Sequence, residues 1–304
     1  MSENLQRAFE RLIVPQTKDD ISFKFHMFKE VLFKIIVNHE NTDATPIAQR
    51  EARLVLQMMF SKVANIEKLT EGIEFTSASG KHLRNITDPI TIIAAIRGIF
   101  ESVGMFNVVY VASDSDEGKA ILHKLWVIAG LNYRQKFVSV TQSAEFIQKS
   151  KDEKQTIDNL TDEIKATALF QSLSQADKDK VLNAIKGKHY NVVFTGNQVK
   201  GLNGFQETID NTGIDTAKFG QMYTYYSLAS HPSNVSVFQF GAMFSDDDSA
   251  TDDIIKFNLG NMFMLASVFI IDYVHTFPEV KATYDTLSQL ERAVIEQLNR
   301  FLRG

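Results

Sequence analysis

The feature that most constrains this chain is where its prolines stand. Pro15, Pro46, Pro89, Pro232 and Pro278 lie at the edges of apolar-periodic segments, and none lies well inside one. Proline lacks a backbone donor and its ring clashes with the preceding turn, so this placement leaves long stretches free to run as uninterrupted helices. Strand signals are sparse. Residues 107–112 and 191–195 are short β-branched pieces, and nothing alternates for long enough to build a large sheet. The expected fold is all-α, a multi-helix bundle of about ten helices with no significant sheet.

Cap chemistry sharpens several helix starts. Thr45-Pro46 and Asp88-Pro89 each pair an N-cap with proline in the first turn. Ser113 to Glu117 and Ser174 supply further caps, and the segment opened at Pro89 is apolar almost all round, which means burial on most sides. Residues 71–87 break the pattern. Gly80-Lys81 there does not make a phosphate loop, because Gly72 is too far upstream and His82 stands where a Ser or Thr would hold magnesium. The glycine-rich, locally basic stretch 187–213 reads as irregular, the place for a lid or specificity element. No repeat or linker is found, and the softest break divides 1–85, an N-terminal helical layer, from 86–304, the main bundle.

Composition excludes several functions. With no cysteine there is no disulfide framework, thiolate metal site or cysteine nucleophile. A net charge of -5 disfavours a whole-surface nucleic-acid binder, since neutralising phosphates needs concentrated Lys and Arg. The opening residues carry charge where a signal peptide needs an apolar run, so a cytoplasmic protein is expected. Residues 254–274 are apolar but contain Lys256, Asn258, Asn261 and Asp272, each costly in hydrocarbon; a buried core helix is the better reading, and no membrane partner is expected. The acidic stretch 245–253 lacks the glycine and terminal glutamate of an EF-hand, and the Glu-x-x-His pattern of di-metal bundles is absent, so neither metal nor cofactor is expected.

The densest polar chemistry lies in residues 223–234. Tyr223, Tyr226, Ser227, Ser230 and His231 fall on one side of a helix expected over 216–230, which Pro232 stops; Ser233 or Asn234 then caps the next helix. A second polar island lies far away in sequence. Between Asp88 and Asp114 the charged residues are Arg97 and Glu101, four apart and therefore on one helical face. A helix C-terminus at His231, a new helix N-terminus just beyond it and an arginine across the gap would together hold a phosphate, sulfate or carboxylate. The alternative is a structural Arg97–Glu101 clamp that sets helix register.

These residues resemble a group of uncharacterised bacterial all-helical proteins. The shared elements are Arg-x-x-x-Glu (Arg97, Glu101), the loop Phe194-Thr195-Gly196-Asn197, and Tyr-x-x-x-Ser-x-x-x-His-x-Ser (Tyr223, Ser227, His231, Ser233). The group is loosely similar to HEPN proteins, helical bundles of stress and phage defence that include metal-independent ribonucleases. Their usual arginine, four to six residues before the histidine, is replaced here by Thr224, Tyr225 and Tyr226.

Two functional expectations follow. In the first, Arg97, Glu101, Tyr223, Tyr226, Ser227, His231 and Ser233 line an inter-helix pocket for a small anionic or nucleotide-like ligand. In the second, which the resemblance implies, His231 and Arg97 catalyse RNA cleavage.

Overall fold

The computed structural model describes residues 3–40, 47–137, 143–231, 233–242, 244 and 249–304. The Thr45-Pro46 cap, Pro232 and the aspartates Asp246, Asp247 and Asp248 lie outside them. In chain order the elements are α1 (Glu3–Ile13), α2 (Lys18–Glu40), α3 (Ile47–Thr70), β1 (Ile73–Thr76), β2 (His82–Ile86), α4 (Pro89–Phe106), α5 (Asp116–Gln135), α6 (Ala144–Ala166), α7 (Ala168–Ser172), α8 (Gln175–Gly187), β3 (Val192–Thr195) and β4 (Gln198–Gly201). There follow α9 (Gly204–Asp210), α10 (Thr216–Phe219), α11 (Met222–Ala229), α12 (Asn234–Ala242), α13 (Ser249–Thr276), α14 (Pro278–Asp285) and α15 (Gln289–Arg303). The protein is all-α. Its helices exceed the expected ten because several, α7, α9 and α10 above all, are only one or two turns long.

The chain forms two compact units, Met1–Val103 with Gly213–Gly304, and Gly104–Thr212. The division therefore falls at 103/104 and 212/213, not near residue 85. Helices at the two ends of the chain pack on one another, α1 on α15 and α2 on α13 and α14.

In the first unit, α13 packs against α2, α14 and α15, and α2 also packs on α3. Phenylalanine fills the core, as the composition implies: Phe263 lies 4.9 Å from Phe25 and 5.0 Å from Phe28 between ring centroids. The start of α2 is set by a reciprocal cap, in which Asp20 N donates to Thr17 Oγ1 and Thr17 N to Asp20 Oδ2, each at 3.1 Å. Arg11 adds a 2.6 Å bond to the same carboxylate and is the main reason that its pKa is lowered to about 2. A depressed carboxylate pKa contributes stability that is present above the unfolded-state value and lost as pH falls through the folded one. Asp20→Asn is accordingly expected to lower Tm at neutral pH, with the gap to the parent closing as melts are repeated towards pH 2.

Residues 71–87 are a hairpin rather than a plain loop, with Phe75 opposite Leu83 and Thr76 opposite His82. Gly80, at φ 80°, sits in its turn and donates its amide to Ser77 O at 2.9 Å. The alternation of Ile73, Phe75 and Leu83 is too short to signal strands, and all three side chains are exposed.

The second unit has its own core, in which Ile121, Leu122, Leu125 and Ile128 of α5 meet Ile164, Val181, Phe194 and Val199. Residues 107–112, one of the two β-branched pieces, are not extended. They continue α4 as a π-helical turn, Asn107–Val111, closed by Ala112 N donating to Asn107 O at 2.8 Å. Of residues 191–195, Val192–Thr195 do form a strand. β3 pairs antiparallel with β4, Thr195 opposite Gln198, and Gly196 at φ 51° makes the two-residue turn with Asn197. The expected lid over 187–213 is thus mostly this hairpin and α9, with Val192, Val193 and Phe194 buried in the core. Gly104 permits this packing, because a Cβ there would lie 2.9 Å from Ile209.

Residues 89–111 and 251–276 are long and apolar enough to cross a membrane by length and composition, and each has 67% of its most apolar window buried inside the protein. The second is the segment expected as a core helix.

Candidate functional site

Three of the expected site residues meet. Arg97 on α4 donates from Nε to Glu101 Oε1 at 2.8 Å and from Nη2 to the Tyr223 hydroxyl of α11 at 3.2 Å. Its Cζ lies 5.3 Å from the centroid of the Tyr223 ring, a cation–π contact. Tyr223 is held in place from below by Phe100, stacked at 6.1 Å and 19°. Partial burial works against the Arg97 charge, but the bonds to Glu101 and Tyr223 outweigh it and raise the pKa above the ordinary value. The side chains are 20% exposed for Arg97 and 43% for Glu101, so the pair lies at the edge of the core rather than inside it.

A fourth residue completes the group and was not picked out in the sequence. Lys62 of α3 donates from Nζ to Gly98 O at 2.6 Å and to Ser102 Oγ at 2.8 Å. Burial lowers its pKa, against the pull of Glu101. Gly98 makes room for it: a Cβ at that position would stand 3.3 Å from the ammonium. A glycine in mid-helix costs about 1 kcal/mol relative to alanine, so Gly98 within the apolar α4 was the available signal that something approaches closely. The group holds two cations, Lys62 and Arg97, against one carboxylate.

Tyr226 and His231 go elsewhere. Tyr226 shares the buried stripe of α11 with Met222 and Ala229, and its ring packs edge-on to Phe100 at 5.8 Å. Burial raises its pKa, which keeps the phenol neutral. The Asn261 side chain of α13 stands at its hydroxyl and works against that rise, and among the described residues Asn258 Oδ1 of the same helix has no hydrogen-bond partner. Asn258 Nδ2 donates to Tyr225 OH at 3.1 Å and to Ile254 O at 2.7 Å.

His231 is exposed and lines an open groove of about 300 Å³ with Asp88, Ile90, Ser236 and Phe240; Arg97 is not on its wall, and no hydrogen bond joins the two residues. Ser227 is half-buried and makes no hydrogen bond to His231. Ser233 takes the cap of α12 for itself, accepting from Ser236 N at 3.1 Å, while Ser236 Oγ donates to His231 O at 3.0 Å. The helix end expected to receive an anion is thus partly satisfied by its own serines, beside an aspartate.

The helix expected over 216–230 is also broken. Gly220 ends α10 and α11 starts afresh at Met222, and a Cβ at Gly220 would stand 2.5 Å from Thr216 O. Within α11, Tyr223 reaches Arg97 and Tyr226 lies on the buried stripe, both rings packing on Phe100.

Among the described residues no set of three His, Asp or Glu side chains converges as a metal site. Comparison with family models, curated proteins and solved structures finds no match.

Proposed function

We propose that the protein is a binding protein whose α3–α4–α11 cluster holds a small anionic group, the phosphate or carboxylate of a metabolite or nucleotide. One observation carries this reading. Arg97 commits Nε–H and one Nη2–H to Glu101 and Tyr223, and among the described residues no hydrogen bond takes Nη1, on a guanidinium already fixed in orientation. Such a preset fork suits the two oxygens of a carboxylate or phosphate, and Lys62 adds a second positive charge nearby. The ribonuclease reading needs Arg97 and His231 on one phosphate. The binding reading asks only for the cluster that forms, and we prefer it for that reason.

The test is calorimetric titration of the full chain with inorganic phosphate and with nucleoside monophosphates, for the parent and for Arg97→Met. Loss of a charged hydrogen-bonding fork is expected to weaken binding by at least about tenfold. Stability should change by less than about 1 kcal/mol, because Glu101 keeps water on its open side. Equal affinity in both proteins would rule the reading out.

A further inference from the structure

Helix α12 presents an apolar face to solvent. No Lys, Arg, Asp or Glu stands between Lys218 and Asp246 in the chain, and α12 falls inside that uncharged stretch. Ser236 is its buried residue, whereas Val235, Val237, Phe238 and the following Phe244 are 49%, 61%, 70% and 59% exposed. With about 3.6 residues per turn, Val235, Phe238, Gly241 and Val237 cover the half of the helix opposite Ser236. Phe240 turns to the groove beside His231, and Phe244 packs edge-on to its ring at 5.5 Å.

Gly241 is exposed within that face. A Cβ there would meet nothing within 4 Å, and Gly241 is not a left-handed helix cap, since its φ is not positive. No contact inside the chain therefore asks for glycine, which is costly in a helix relative to alanine. What the bare backbone offers is a notch one turn from Phe238, the most exposed ring on α12. Knob and notch on one helix complement a second copy of themselves. Antiparallel pairing of two α12 helices, about a twofold axis between Gln239 and Phe240, sets Phe238 of each copy over Gly241 of the other and Val235 against Phe244.

We propose that this face of α12 is a twofold interface between two copies of the chain. A twofold contact lays each surface charge near its own image, so an uncharged face is the kind that tolerates it. A bilayer is a poorer occupant, because helices that lie in membrane interfaces carry Lys and Arg on their polar side, and the first charges after α12 are Asp246, Asp247 and Asp248. The exposed side chains offer on the order of 400 Å² of apolar surface, about half of the ~800 Å² that each partner gives up in a standard interface. The polar rim that such interfaces carry supplies the rest, and the dimer is expected to be reversible. It stands whether or not the Arg97 cluster binds an anion.

The test is sedimentation of the full chain from about 1 to 100 µM, which spans micromolar affinities. The parent is expected to reach twice the mass of one chain. Phe238→Gln, which removes the knob, and Gly241→Gln, which fills the notch, should each weaken the dimer by about tenfold or more. Both changes lie on open surface, so the monomer should keep the far-UV circular dichroism of the parent. Phe75→Gln, at a ring 62% exposed on β1, and Arg97→Met should leave the dimer unchanged. A parent that stays monomeric throughout overturns the proposal, and one that instead floats with neutral phosphatidylcholine vesicles gives the face to a bilayer. A dimer that both α12 variants leave intact, or that Phe75→Gln weakens as much as they do, overturns it too.

Discussion

Lys24→Met is expected to make the protein more stable at pH 7 by about 2–3 kcal/mol. Lys24 is wholly buried on α2, with its ammonium 3.4 Å from Ile13 O and 4.8 Å from the centroid of the Phe263 ring. Burial lowers its pKa from 10.5 to about 7. That drop corresponds to about 4–5 kcal/mol at most. Between pH 7 and 10.5 the unfolded chain holds the proton that the folded chain has given up, so stability rises with pH through this window; below pH 7 the full penalty stands. Methionine removes the penalty but loses the bond to Ile13 and the attraction to Phe263, hence the smaller net gain. Urea unfolding at pH 7 and at pH 10 checks both parts: the parent should gain stability over that range, and the variant should show a shallower slope. A variant less stable than the parent at pH 7 would mean that the ammonium, as cap of α1, outweighs its own burial.

Arg303→Met is expected to cost about 3–5 kcal/mol. Asp272 of α13 is 3% exposed, and Arg303 of α15 meets both of its oxygens at 2.7 Å. Removing one member of a buried bidentate pair strands the charge of the other, whereas replacing both with apolar residues is often close to neutral. Arg303→Met combined with Asp272→Leu should therefore recover most of the loss, and denaturant melts of the two single variants and the double variant measure it as a cycle. If the double variant is as unstable as Arg303→Met, the pair is not what joins these helices.

Much of the fold is legible because its signals are local. Ser115 and Ser174 cap α5 and α8 with side chains that accept from Gly118 N and Asp177 N, bonds spanning three residues. Pro89 and Pro278 stand at the first position of α4 and α14, where proline's missing donor costs nothing. The misses are local conflicts settled by distant partners. The β-branched run at 107–111 looks extended by composition, but it begins inside a helix already running and is absorbed as a π turn, with Asn107 bonded to Asn211 at 3.2 Å. The hairpin at 73–86 is missed because four- and five-residue strands carry too few alternations to be read.

The candidate site divides the same way. Arg97–Glu101 is one helical turn, so its pairing was fixed by spacing alone. That Tyr223 would join them, and that His231 would line a separate groove, depends on how α11 packs against α4, which spacing along either helix does not encode.

By itself, then, the sequence determined an all-α chain, the places where most of its helices start and stop, the absence of any cysteine chemistry, and one intrahelical ion pair. All of these depend on groups within about one turn of each other. Only the tertiary structure decided that Lys62 reaches Gly98 and Ser102, that Lys24 is sealed against Phe263, and that Arg303 meets Asp272. Those meetings depend on how helices far apart in the chain pack, and no spacing along a single helix encodes that.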